Sequence, residues 1–232
     1  MSRRAEIATG LAAVDERVRR ACAAAGRDPS DVTVIVVTKT FGAGDIRLLA
    51  DLGVRDIGEN RDQEATAKAI ECADLGLTWH FVGQLQTNKA RSVVQYASVV
   101  HSVDRRRLVD ALEGAAATRG ERTGCLVQVS LSADPAPGRG GAAGTDVLDL
   151  ADAIAAADHL RLLGVMAVAP PEADPAAAFG HLVRMAAAVQ ARHAGANWIS
   201  AGMSEDLEPA IAAGATHLRV GSAILGQRPA AG

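Results

Sequence analysis

Lys39 ends the segment "VTVIVVTK" (32–39), in which Val34 to Thr38 form an apolar and β-branched run that reads as a strand buried on both faces. An ammonium group at the end of a core strand has two readings. It snorkels into water, or it sits at the rim of an apolar pocket. There desolvation and nearby cations lower its pKa, and the amine attacks an aldehyde to form a Schiff base. Two other segments carry anion chemistry. "SAGMSEDL" (200–207) runs from an apolar stretch into a helix, with Ser204 as an expected N-cap and Glu205 and Asp206 in the first turn. Such a turn presents backbone N–H groups, and Gly202 lets an anion approach them. "RVGSAI" (219–224) repeats the device with Gly221 and Ser222. By itself, a Ser followed by acidic residues only caps a helix.

The elements that must position these residues follow from one recurring pattern. Short apolar runs at 33–39, 54–60, 79–84, 98–104, 125–131, 160–168, 196–204 and 216–225 each end in polar or Gly residues, and Ala-rich helical stretches follow. Among the helical patterns are Val147/Leu150/Ile154, Phe179/Leu182/Ala186/Val189 and Leu207/Ala210/Ile211. Eight strands alternating with helices predict a (β/α)8 TIM-type barrel, with parallel strands and right-handed crossovers. Ahead of it, Ile7, Leu11, Val14 and Val18 mark one face of an extra N-terminal helix. Its wet side carries the pairs Asp15/Arg19 and Glu16/Arg20. One domain is expected over 1–232, with the helix in 1–25 and the barrel in 32–226.

In such a barrel the C-terminal strand ends share one face. That face gathers Lys39, Glu59, Asn60, His80, Gly83, Gln84, His101, Asp104, Ser130, Met166, the 200–204 turn, Arg219, Gly221 and Ser222. The loops after strands seven and eight are the usual phosphate site of these barrels, and both phosphate-like segments fall there. Arg219 interrupts an apolar run and needs a partner. That partner is either a rim carboxylate such as Glu59 or Asp104, or the ring nitrogen of pyridoxal phosphate. An arginine there disfavours protonation of that nitrogen and makes the ring a poor electron sink. His80 either bonds the site or satisfies a backbone carbonyl. "ADPAPGRGGAAG" (133–144) reads as a mobile connection on the same face, or as a lid carrying Arg139.

Composition removes several classes. The formal net charge is −3, and only six residues are aromatic, too few for a base-stacking platform, so nucleic acid is not an expected partner. No stretch approaches the roughly 18 apolar residues of a membrane span. Asp15 and Glu16 interrupt any signal-peptide core. Cys22, Cys72 and Cys125 are scattered, as expected of a reducing cytoplasm, and with the histidines they share no metal-ligand spacing.

Taken together, these segments resemble the pyridoxal-phosphate homeostasis protein family, whose barrel is similar to the N-terminal domain of alanine racemase. "VTKT" (37–40), "IGENRDQE" (57–64), "WHFVGQLQTNK" (79–89), "HSVDR" (101–105), "SAGMSEDLEPAIAAG" (200–214) and "RVGSAILGQR" (219–228) carry the resemblance over nearly the whole chain. It implies pyridoxal 5'-phosphate (PLP) held covalently on Lys39, with Arg219 at the ring. It places phosphate contacts on Ser200, Gly202, Gly221 and Ser222, and adds Asn60, His80 and Met203 as cofactor-binding candidates. The departures are Phe41-Gly42 where a proline often follows the lysine, Ala201 for methionine, Ser222 for threonine and Leu225 for phenylalanine. None removes a group the cofactor needs.

The implied role is PLP homeostasis and delivery to PLP-requiring apo-enzymes, in a cytoplasmic monomer with little or no turnover. A racemase-like enzyme is the first alternative. It needs a second base, and related racemases supply a tyrosine from a second domain. The sequence runs only seven residues past Leu225, and its one tyrosine, Tyr96, is expected at the opposite face. A Schiff-base aldolase acting on phosphorylated sugars is the second alternative, with Glu59 as its candidate acid/base. A third, an interaction scaffold, binds no small molecule.

Overall fold

All eight apolar runs form parallel strands: β1 (Thr33–Val37), β2 (Asp56–Glu59), β3 (Thr78–Phe81), β4 (Val99–Val103), β5 (Thr123–Gln128), β6 (Leu160–Met166), β7 (Trp198–Ser200) and β8 (His217–Val220). They close in chain order, with β1 pairing to both β2 and β8. This is the expected (β/α)8 barrel. The computed structural model describes residues 1–132 and 140–227, so Arg139 and the tip of the 133–144 connection lie outside the described residues. Helix α1 (Arg3–Ala24) precedes the barrel. Helices α2 (Ala43–Asp51), α3 (Asp62–Glu71), α4 (Ala90–Tyr96), α5 (Arg106–Ala116), α6 (Asp146–Ala155), α7 (Pro175–Arg192), α8 (Leu207–Ala213) and α9 (Ser222–Leu225) follow β1 to β8 in turn. Each strand is shorter than its apolar run, because the last residues leave the ladder to build the turn above it.

Side-chain alternation along the strands separates two layers. Outward-facing Val36, Ile57, Phe81, Val100 and Val165 pack against helix residues such as Ile46, Leu49, Val93 and Leu112. Inside the barrel, Val99, Leu126, Leu163 and Met166 cluster with Trp198. The other half of the interior is polar: His80, His101, Ser200, His217 and Arg219 are all buried. A buried polar group left unpaired costs about 1–3 kcal/mol, as much as a buried Val or Leu contributes, so the interior holds only if these groups bond one another.

Helix α1 buries Ile7, Val14, Val18 and Cys22. Arg19 pairs with Asp15 at 3.2 Å and also with Glu16 at 2.7 Å, taking the partner that spacing assigns to Arg20. One guanidinium reaches both carboxylates, at i−4 and i−3. Across the barrel surface, Arg17 donates two hydrogen bonds to Glu208, at 2.7 and 2.8 Å, and one to the Ser204 carbonyl at 2.8 Å. Arg3 reaches Asp45 and the Leu225 carbonyl. Thus α1 braces the turn after β7 and the end of α9 from outside. Among the described residues, no helix is long and apolar enough to cross a membrane.

Candidate functional site

A cavity of about 920 Å3 opens at the C-terminal end of the barrel. Its lining includes Lys39, Asn60, Met203, Arg219, Gly221 and Ser222, six of the nine residues singled out from sequence. His80, Ser200 and Gly202 do not line it. Phe41 and the Val168–Pro171 segment after β6 form apolar walls that the sequence reading did not assign.

Lys39 is exposed at this mouth while both its neighbours are fastened below it. Thr38 is fully buried; its hydroxyl donates to Glu59 Oε1 at 2.6 Å, and its carbonyl accepts from Lys68 Nζ at 2.9 Å. Thr40 has φ +72°, costly for a β-branched residue. Its N–H donates to Glu64 Oε1 at 2.6 Å. Lys68 Nζ binds both carboxylates, Glu59 at 2.7 Å and Glu64 at 2.5 Å. A single buried ion cluster between β2 and α3 therefore grips the chain on each side of Lys39. Burial pushes the Glu59 carboxyl up, against hydrogen bonds from Lys68 and Thr38. Burial also opposes ionisation of Glu64, but the bonds from Lys68 and the Thr40 amide prevail and hold it below the usual range. Glu59 therefore belongs to the outer wall and is not a carboxylate facing Lys39.

Arg219 is 4% exposed. It pairs with neither Glu59, which is held by Lys68, nor Asp104, which is held by Arg105. Its Nη1 donates to Ser200 Oγ at 2.6 Å and its Nη2 to the Ala167 carbonyl at 2.8 Å. These bonds use two of the five N–H donors of a guanidinium and leave an edge for the cavity that Arg219 lines. Burial pushes its pKa down to about 10, so it remains a cation at neutral pH. The Ser200 hydroxyl faces the barrel interior, bonded to Arg219 and, at 2.9 Å, to His101 Nδ1. The Ser200 hydroxyl is thus engaged away from the cavity, which Ser200 does not line. His80 is likewise interior, 3.0 Å from His101 Nε2 and 3.0 Å from Asp56 Oδ1; its partners are side chains rather than a backbone carbonyl.

The turns after β7 and β8 meet as expected, by a different device. Helix α8 starts at Leu207, so Ser204 is not its N-cap. Asp206 Oδ1 accepts the Met203 N–H at 2.6 Å, while Ser204 Oγ accepts the Ala223 N–H at 3.2 Å and the Ser222 hydroxyl at 3.1 Å. Ser204 thus ties the two turns together. Gly202 has φ +90°, and a Cβ there would lie 2.6 Å from Ala210 Cβ. Backbone and packing by themselves therefore require glycine at this position. A Cβ on Gly221 would sit 3.0 Å from the Val37 carbonyl, so bare backbone keeps β8 tight against β1 just beside Lys39.

Tyr96 is the last residue of α4, edge-on to Trp79 with centroids 6.5 Å apart, and does not line the cavity. Among the described residues, no group of three His, Cys, Asp or Glu could hold a metal ion.

An eight-stranded parallel barrel with a lysine after its first strand and anion-type turns after its last two defines a class, and residues 10–229 match the family described as alanine racemase, N-terminal domain. Within that class the relatives are more specific. The pyridoxal phosphate homeostasis protein of Pseudomonas aeruginosa is 39% identical over 96% of this chain and 96% of its own length. That of Mycobacterium tuberculosis is 40% identical over 97% and 94%. The structure of PipY from Synechococcus elongatus PCC7942 with PLP bound superposes with a TM-score of 0.82 at 33% identity, covering 95% of this chain and 100% of PipY. The chain belongs to the pyridoxal phosphate homeostasis protein family.

Proposed function

We propose that this chain binds PLP in the 920 Å3 cavity as a Schiff base on Lys39 and serves cytoplasmic PLP homeostasis and delivery to apo-enzymes, with little or no turnover. The observation that carries the reading is that Lys39, Arg219, Gly221 and Ser222 line one cavity. The donor set fits the cofactor. Lys39 would supply the amine for the aldehyde, and Arg219, a buried cation with donors to spare, would meet the ring nitrogen. Asn60 adds a buried Oδ1 that has no partner among the described residues. For the phosphate, the turns after β7 and β8 offer Met203, Gly221 and Ser222, which line the cavity, whereas Ser200 and Gly202 do not line it. His80 serves the site through other residues.

Bound PLP supplies an electrophilic aldehyde and a pyridine ring. The fixed charge of Arg219 opposes ring-nitrogen protonation and so limits carbanion chemistry. A two-base racemase needs a proton donor opposite Lys39. Tyr96 lies outside the cavity and Glu59 behind the wall, which favours holding over turnover.

Titration of the purified protein with PLP tests this reading by its visible spectrum. The expected result is a saturable yellow complex that stays unchanged on incubation with alanine or serine. A colourless protein that gains nothing from PLP would refute binding. Racemisation of either amino acid would refute the non-catalytic role.

A further inference from the structure

Arg219 at the cavity floor and Asp56 at the opposite, N-terminal end of the barrel are joined by an unbroken line of side chains. The steps are Arg219 Nη1 to Ser200 Oγ at 2.6 Å, Ser200 Oγ to His101 Nδ1 at 2.9 Å, His101 Nε2 to His80 Nδ1 at 3.0 Å, and His80 Nε2 to Asp56 Oδ1 at 3.0 Å. Ser200 and His101 are fully buried and His80 is 1% exposed, whereas the Asp56 side chain is 30% exposed. We propose that Asp56, His80, His101 and Ser200 are positioning residues that act on the bound ring through Arg219, as a one-way relay of hydrogen bonds from a buried cation to a carboxylate under the barrel. The proposal rests on the reading that the cavity binds PLP.

The direction follows from donor chemistry. A guanidinium only donates, and an ionised carboxylate only accepts. Ser200 Oγ therefore accepts from Arg219 and has its own proton to give. His80 must present N–H at Nε2 to Asp56. With both imidazoles neutral, His80 Nδ1 is then an acceptor, so His101 carries its proton on Nε2 and accepts from Ser200 at Nδ1. Every bond is satisfied in this one arrangement. In the reversed direction a bare ring nitrogen faces the carboxylate, unless His80 takes a second proton.

The arrangement answers an electrostatic need. Among the described residues no carboxylate pairs with Arg219, and an uncompensated buried charge is costly. Aligned hydrogen bonds polarise one another, so the Asp56 charge draws the Ser200 proton toward His101 and leaves Oγ a stronger acceptor for Arg219. The relay also decides which guanidinium N–H groups point inward, and hence which edge faces the cavity.

The test uses full-length protein labelled with 15N-histidine. Without PLP, both histidines are expected as neutral Nε2–H tautomers at neutral pH. An Nδ1–H His101 or a cationic His80 would overturn the relay. Asp56→Asn, with Asp56→Ala as a second variant, changes a residue that touches neither His101 nor Arg219. Both variants are expected to shift the His101 ring-nitrogen resonances. With PLP added, they are expected to displace the visible maximum of the complex, while affinity falls less than tenfold. Unchanged His101 resonances and an unchanged maximum in both variants would overturn the proposal. Failure of the wild-type chain to take up PLP would instead refute the functional reading, and the histidine spectra would still decide the relay's direction.

Discussion

Two charged networks underlie the two ends of the cavity, and they are built differently. Beneath Lys39 the network lies in the barrel wall, where Lys68 bridges Glu59 and Glu64 and closes on the chain at Thr38 and Thr40. Its charges meet directly, Lys68 lying 2.7 Å from Glu59 on β2 and 2.5 Å from Glu64 one turn away on α3. Beneath Arg219 the network runs through the barrel interior, and two imidazoles and a hydroxyl separate the cation from Asp56. A short ionic clamp fixes where a backbone goes, whereas a line of neutral groups that both donate and accept fixes a direction of polarity. Catching an aldehyde needs the amine in place, and holding a ring without activating it needs a cation of fixed orientation. On the proposed reading, the two networks match those two needs.

The largest expected effect separates the networks by stability. Lys68→Met strands Glu59 in the wall and should cost about 3–5 kcal/mol in denaturant unfolding. Adding Glu59→Gln should recover part of that loss, because the stranded charge is gone. A loss under about 1 kcal/mol would mean the clamp is decorative.

Acid should reach the interior first. Burial pushes His217 down to about 4, and it holds His101 well below 6.5. Both groups bind protons more weakly folded than unfolded, so their contribution is complete above the unfolded value near 6.5 and is lost as pH falls below it. For His217 alone the loss by pH 4 is about 3 kcal/mol. Stability that stays flat between pH 7 and pH 4.5 would contradict neutral interior histidines.

Ser200→Ala removes the shared partner of Arg219 and His101 and should cost about 1–3 kcal/mol. It should weaken PLP binding while leaving the lysine adduct possible. Thr40→Gly is the smallest change. It relieves a positive φ and should leave stability within about 1 kcal/mol of the parent, or raise it. If that variant reacts with PLP more slowly at Lys39, the strain at Thr40 helps aim the amine.

Local pattern made the barrel legible: eight apolar runs ending in polar turns predict its strands, and Val147/Leu150/Ile154 and its counterparts predict the helices. Residues at the rim were legible where they end strands, as Lys39 and Arg219 do. What lay beyond reach depends on pairing across strands. Ser204 looks like a cap because Glu205 and Asp206 follow it, yet the positive φ at Gly202 turns the chain so that Asp206 takes the Met203 amide. Ser200 looks like a phosphate ligand until alternation from Trp198 points it inward. His101 stands two residues beyond Val99, which pairs with His80. That register would have revealed the histidine pair, but register is not written in either strand alone. Lys68 was the most accessible omission, being four residues after Glu64 on a helix face.

The central claim is that the Lys39 amine bonds the aldehyde. Borohydride reduction of the PLP complex, followed by peptide mass spectrometry, measures this directly. The predicted result is a phosphopyridoxyl group on Lys39, absent from Lys39→Ala, which keeps a weaker phosphate-anchored complex. A modification found on Lys68 or Lys89, or one that persists unchanged in Lys39→Ala, would contradict the account.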